Sequence, residues 1–327
     1  MLKNLLSKLS ARKTHVGIEC QPNGLAVAVC ADKWVQTESV ASLRPQILHS
    51  DILLDESSIS DQATMLTDWV ETHGLTACPC NLVLPSSDYQ LLLVEAPDVP
   101  EVEMREAVRW RIKDLISIPV AKAAIDVFLL PHDGSRGKKM AYVVVAELSR
   151  LSSLVSLVNQ SGLSLESIDI GELALRNLAY LQDLDHPESR GVAIVRLLEG
   201  QGSVSLYRKG NMYLSRQFQI KYGAGLLDDI PIDSFILEVQ RSLDYYERQM
   251  GQPPPTNLYI CGDNISEDKI TTDILRGLSV PVKYLNFTAS VSVDDENKEP
   301  LLHACAAALG AALRNSVAGN IDSVGAP

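Results

Sequence analysis

Apolar positions along the chain change period in a regular order. Residues 15–20 and 25–30 are short apolar runs separated by Pro22-Asn23-Gly24, a turn signal, and residues 34–40 alternate polar with apolar. All three read as strands. Ala63, Leu66, Trp69 and Val70 then share one helical face within 60–73, and Gly74 stops the helix. Residues 81–84 return to a strand pattern. The order is β-β-β-α-β.

The order recurs. Residues 192–198, 203–207 and 212–219 read as strands, with Lys209-Gly210-Asn211 turning between the last two. A helix follows over 232–250, where Phe235, Val239, Leu243 and Tyr246 fall on one side and Pro253-Pro254-Pro255 ends the run. Residues 258–261 are a strand, 266–278 a helix and 282–285 a last strand. A meander of strands with a crossover helix gives a mixed sheet with helices packed on it. Two such units predict a two-lobed α/β protein with a cleft between the lobes.

Residues 87–160 interrupt the repeat. A strand at 90–94 precedes a break bracketed by Pro97 and Pro100, and Pro100-Glu101 opens a helix whose Met104, Val108, Ile112 and Leu115 line one face. Strands at 125–130 and 139–147 flank a polar turn, and residues 151–160 are helical up to Gly162. The expected organisation is therefore a first lobe over 14–86 and 161–190, an inserted unit over 87–160, and a second lobe over 191–300. Residues 167–181 read as a helix between the lobes. An Ala-rich closing helix spans 301–314, and 315–327 has too little to bury to be ordered.

Charge and cysteine usage narrow the chemistry. The formal net charge of −12 excludes a general nucleic-acid surface, which needs clustered Lys and Arg. The six cysteines include no C-x-x-C, and Cys78-Pro79-Cys80 has no second pair at zinc-ligand spacing, so free buried thiols of a reducing compartment are expected. The six histidines are scattered, and neither H-E-x-x-H nor G-x-S-x-G occurs. No catalytic or metal-ligating residue is assigned. No run reaches the roughly 20 apolar residues that cross a bilayer. Residues 1–13 carry Leu2, Leu5, Leu6 and Leu9 on one face among Lys3, Lys8, Arg12 and Lys13, with no signal-peptide pattern. Such a segment is either a short terminal helix or a contact with an anionic membrane surface.

Several segments carry a family resemblance. Leu93-Val94-Glu95-Ala96-Pro97 followed by Glu103-Met104-Arg105-Glu106-Ala107-Val108, then Ile118-Pro119 and Ile125-Asp126-Val127, are similar to the inserted unit of the PilM family of type IV pilus assembly proteins. Within that family they are similar to the members serving the mannose-sensitive haemagglutinin (MSHA) pilus. Gly162-Leu163, residues 239–246 and the run Ala308-Leu309-Gly310-Ala311-Ala312-Leu313-Arg314 also resemble family segments. The resemblance implies an actin-like (ribonuclease H-like) fold related to FtsA and to the cytoplasmic domain of GspL. It further implies a cytoplasmic protein peripheral to the inner membrane. That protein would hold the N-terminal cytoplasmic tail of a PilN-like membrane protein and contact the pilus motor ATPase. The tail is expected in a groove between the first lobe and the inserted unit. Gln90, Leu92, Val94, Met104, Val108 and Arg111 are the candidate walls.

The same resemblance directs attention to nucleotide chemistry. Actin-like ATPases approach phosphates with glycine-rich hairpins and hold hydrated Mg²⁺ with carboxylates. The first hairpin here is Gly17-Ile18-Glu19-Cys20-Gln21-Pro22-Asn23-Gly24. Glu19 keeps the carboxylate, but Pro22 removes an N–H donor. The second hairpin has Val195-Arg196-Leu197-Leu198 where the family has Asp and Gly, so the metal anchor is replaced by Arg196, a possible phosphate partner. The third motif keeps one glycine, Gly262. Glu19, Gly24, Arg196 and Gly262 thus mark an eroded cleft. No cofactor is expected, and ATP with Mg²⁺ would be held weakly. The expected function is a non-catalytic scaffold. The alternatives are an ATP-driven switch and a GspL-like secretion component.

Overall fold

A computed structural model of the chain describes residues 14–22, 24–36, 43–54, 59–135, 137–183, 188–198, 200–219, 231–263, 265, 267, 272–293, 298–315 and 317. The basic segment 1–13, the acidic stretch 294–297 and nearly all of the tail lie outside these residues.

The first lobe begins with β1 (Thr14–Gln21), β2 (Gly24–Gln36) and β3 (Leu43–Leu54), and crosses through α1 (Ile59–Thr72) to β4 (Pro79–Leu84). The inserted unit follows as β5 (Tyr89–Glu95), α2 (Glu101–Ile112), β6 (Ala123–Leu129) and β7 (Met140–Glu147). Helix α3 (Leu148–Gln160) returns to β8 (Ser164–Ile170), and α4 (Gly171–Asp183) leads out of the lobe. The second lobe contains β9 (Val192–Leu198), β10 (Gln201–Arg208), β11 (Asn211–Gln219), α5 (Ile232–Asp244), β12 (Asn257–Gly262), α6 (Thr272–Gly277) and β13 (Val282–Tyr284). The chain closes through α7 (Phe287–Ser290), β14 (Ser292–Val293), α8 (Glu299–Ala304) and α9 (Ala306–Ala312).

The sheets show why the repeat was visible. The first lobe has strand order β14-β3-β2-β1-β4-β8 and the second β11-β10-β9-β12-β13. Each is an antiparallel meander continued by parallel strands beside its first strand. The inserted unit is a separate sheet, β5-β7-β6. It buries Met104, Val108 and Ile112 of α2 against Ala141, Val143 and Val145 of β7.

Local readings need correction where the apolar period was ambiguous. Residues 34–36 do not start a third strand; they continue β2 past a register irregularity and pair with 43–45. The third strand is β3, hidden by Pro45 and its polar residues, a proline tolerated because it stands near the strand's start. The run 167–181 is not one helix. Residues up to Ile170 pair in parallel with β4 as β8, because Leu165, Ile168 and Ile170 fit either period over so short a stretch. Helix α3 was grouped with the inserted unit, but it buries Leu154, Leu157 and Val158 in the first-lobe core. The closing helix breaks at Cys305. Beyond it, Val317 is fully buried, so the chain is packed past Arg314.

Helix α9 lies between the first-lobe strands β1, β2 and β4 and helix α4. All seven of its residues are buried. A Cβ at Gly17 of β1 would overlap the Ala308 carbonyl, and one at Gly310 would overlap the Ala174 carbonyl of α4. Two buried amides hold this approach: Asn177 Nδ2 donates to the Gly310 carbonyl at 2.8 Å and Asn81 Nδ2 to the Ala311 carbonyl at 3.0 Å. In an ordinary helix, Gly→Ala gains about 1 kcal/mol. At Gly310 the sign should reverse, with Gly310→Ala costing about 1–3 kcal/mol in urea unfolding because of overpacking.

Candidate functional site

The strand ends that carry Glu19 and Arg196 face each other across the interlobe cleft. Arg196 Nη1 donates to Glu19 Oε1 at 2.6 Å and Nη2 to Oε2 at 2.7 Å. Both side chains are only 5 % exposed. Gln21 Nε2 adds a bond to Glu19 Oε2 at 3.3 Å and another to the Ala304 carbonyl at 2.9 Å. Burial alone would lower the Arg196 pKa, but Glu19 more than reverses this and the net shift is upward, so the guanidinium stays charged. The fork of Arg matches a carboxylate with two parallel bonds. Arg196 is therefore a partner of Glu19 from the opposite lobe.

Further bonds staple the cleft. Ser86 Oγ donates to Gln201 Oε1 at 2.7 Å. Glu172 of α4 accepts from Tyr89 at 2.5 Å and from Gln217 at 2.9 Å, and its backbone carbonyl accepts from Tyr207 at 2.6 Å. Burial, and then the Glu172 charge, push the Tyr89 hydroxyl pKa well up, so it remains a donor. The inserted unit also reaches the second lobe: Asp133 accepts from Tyr213 at 2.7 Å and pairs with Arg208 at 3.1 Å. The cavity left among these groups measures about 140 Å³. Small-molecule sites usually measure about 300–1,000 Å³.

Gly24 and Gly262 serve the sheets. Both have positive φ, and a Cβ would run into the Leu53 carbonyl at Gly24 and the Leu197 carbonyl at Gly262. The Gly262 N–H donates to Nδ1 of buried His303 at 3.4 Å, and that ring stacks on Tyr284 with centroids 4.4 Å apart.

A second concavity of about 290 Å³ lies between the inserted unit and the first lobe. Arg105, Asp126 and Phe128 line one side, and Leu151, Ile168 and Leu173 the other. It runs between β6 and β8, each an edge strand of its sheet. The pair Arg105–Asp126 at 2.8 Å stands on one bank and Arg314–Asp169 on the other. The six walls expected from the sequence lie on the far face of the three-stranded sheet. Met104 and Val108 are core residues, 3 % and 0 % exposed, and Leu92 and Val94 pack half-buried against the same core. Gln90 Nε2 bonds Ser117 Oγ at 2.9 Å, and Arg111 donates to the Glu95 carbonyl at 3.0 Å. Alternation explains the error: the odd residues Leu91 and Leu93 of β5 face the lobes and the even ones face α2.

All six cysteines are free and buried, and burial raises the thiols of Cys20 and Cys261 to about 12. Among the described residues, no cluster of three or more His, Cys, Asp or Glu could hold a metal ion, and no helix is long and apolar enough to cross a membrane.

No protein-family model matches the sequence, and no curated protein matches it. Solved structures do. The chain is similar to a structure described as a PilM-PilN type IV pilus biogenesis complex, with 18 % identity, a TM-score of 0.67, and coverage of 92 % of this chain and 98 % of that one. It is also similar to a Bacteroides thetaiotaomicron protein with an actin-like ATPase fold and unknown function, with 8 % identity, a TM-score of 0.50, and coverage of 91 % and 97 %. The cytoplasmic domain of EpsL, an inner-membrane component of the type II secretion system of Vibrio cholerae, superposes at a TM-score of 0.49 with 13 % identity over 88 % and 98 %. The first two likenesses define the fold: the chain is an actin-like protein of two lobes with an inserted unit in the first.

Two expectations follow. Glu19→Ala strands a buried guanidinium and should cost about 3–5 kcal/mol in urea unfolding, whereas Glu19→Met with Arg196→Met should recover most of the loss. Burial pushes the His303 pKa down to about 4, against about 6.5 in an unfolded chain. Its contribution to stability is full above pH 6.5 and is lost as pH falls from there towards 4. Glu299, 3.8 Å away and raised by burial, works in the opposite direction. The urea midpoint should fall between pH 6.5 and 4, and His303→Gln should flatten that decline.

Proposed function

We propose that the chain is a non-catalytic cytoplasmic adaptor of the inner-membrane platform of a type IV pilus machine, of the MSHA type and resembling MshI. The observation that carries the non-catalytic reading is the Glu19–Arg196 pair. The carboxylate that the resemblance would give to hydrated Mg²⁺ has both oxygens occupied by a guanidinium from the facing lobe. Leu198 lines the same small cavity. These residues fit a closed cleft better than a magnesium nucleotide, and no hydrolytic step is assigned to them.

The partner assignment rests on the family resemblance and on the likeness to a PilM-PilN complex. In this reading, the N-terminal cytoplasmic peptide of a PilN-like membrane protein lies in the groove between the first lobe and the inserted unit. Phe128, Leu151, Ile168 and Leu173 offer it apolar contact, and Arg105 and Arg314 stand at the banks as cations. Contact with the pilus motor ATPase and peripheral association with the inner membrane belong to the same reading. The alternative is a nucleotide-driven switch, favoured by the cavity that persists between the two hairpins. A GspL-like role is separated from the pilus role by the neighbouring genes.

Calorimetric titration with the PilN-like peptide, with and without Mg-ATP, tests the proposal. Binding indifferent to Mg-ATP is the expected result, and Phe128→Ala should weaken it tenfold or more, about 1.4 kcal/mol. Binding that requires Mg-ATP would move the switch reading ahead. No binding would remove the partner.

A further inference from the structure

Helix α2 of the inserted unit has an outer face that its own fold does not use. Its inner face buries Met104, Val108 and Ile112. On the other side, Val102 is 91 % exposed and Trp110 75 % exposed. A tryptophan carries a large apolar surface and is enriched at interaction hot spots, so one left in solvent on a regular helix marks a contact surface. Helical spacing places Val102, Glu103, Glu106, Arg109, Trp110 and Lys113 around this outer face. Lys113 keeps helical dihedrals just beyond the last turn.

The charges along this face are divided. Glu103 and Glu106 occupy the N-terminal half beside Val102, and Arg109 and Lys113 occupy the C-terminal half beside Trp110. Arg109 is half-buried, pairs loosely with Glu106 at 3.5 Å and donates to the Val120 carbonyl at 3.4 Å, which leaves Lys113 as the exposed cation of the basic half. A parallel copy of the helix would set like charges against each other. An antiparallel copy sets each acidic half against the other's basic half, with the two Trp110 side chains flanking the two-fold axis and Val102 towards the ends of the seam. That arrangement is self-complementary about a two-fold axis, as an isologous dimer contact requires.

We infer that the outer face of α2 is a homotypic docking surface on which a second copy of the chain packs antiparallel, with Glu103 against the partner copy's Lys113 and Trp110 at the centre. One helix of 12 residues is about 18 Å long, so the seam falls below the usual interface of about 1,600 Å² and the association is weak. It would matter where copies are concentrated on a shared platform. The contact stands apart from the groove: of the six seam residues, none lines that cavity.

Sedimentation equilibrium of the full chain, from low to several hundred micromolar, tests the inference. A reversible monomer–dimer equilibrium that weakens with salt is expected. Trp110→Ala should raise its dissociation constant at least tenfold without changing the melting temperature. Glu103→Lys and Lys113→Glu should each raise it severalfold, and the two combined in one chain should restore it. A chain that stays monomeric throughout overturns the inference. So does a dimer indifferent to Trp110→Ala, or a double variant that is as weak as the sum of its singles.

Discussion

The close approach of α9 to β1 and to α4 sets how near the first-lobe sheet comes to α4, the helix that packs on β9, β10 and β11 of the second lobe. Alanine and glycine bring its backbone against β1 at Gly17 and against α4 at Gly310, with no side chain between. Close packing of small residues leaves little room for sliding, because any added methylene overlaps backbone. The buried amides of Asn81 and Asn177 satisfy the helix carbonyls from both sides, which sets its rotation as well as its depth. Since β1 and α4 also carry Glu19 and Glu172, the same contact brings the facing polar groups of the cleft within bonding distance.

That proximity decides what the cleft contains. A carboxylate and a guanidinium removed from water each lose several kcal/mol of solvation, and only good geometry with complete pairing recovers it. Two parallel bonds from Arg196 to Glu19, supported by Gln21, supply that geometry. Around them, Ser86 with Gln201, Glu172 with Gln217, and Asp133 with Tyr213 all join the second lobe to the rest of the chain. Opening the lobes would break these bonds together. The inserted unit thus fastens the lobes as well as bordering the groove.

Much of the fold was legible because its periods are long or its turns distinct. The helix around Trp69 and Val70, the meander of the second lobe and the helix carrying Met104 and Val108 each bury the face their spacing indicates. Strand β8 was not legible, since seven residues with three apolar positions satisfy either period. Strand β3 was obscured by a proline near its start and by its polar residues. The groove failed for a different reason. Alternation along β5 divides its residues between two faces, but only the placement of the inserted sheet decides which face meets the lobe. The apolar residues that looked like walls are the core beneath α2.

By itself the sequence determined the two-lobed plan, the inserted unit and the small-residue closing helix, because each depends on local composition and period. Tertiary structure alone decided that Glu19 and Arg196 are partners, that Gly24 and Gly262 make room for neighbouring strands, and that Trp110 is left outside. These facts depend on residues up to 177 positions apart meeting across the lobes, or on which face of a sheet is covered. A charge in a sequence has no partner until the fold supplies one, and whether it binds metal, phosphate or another side chain is settled by what lies within about 3 Å of it.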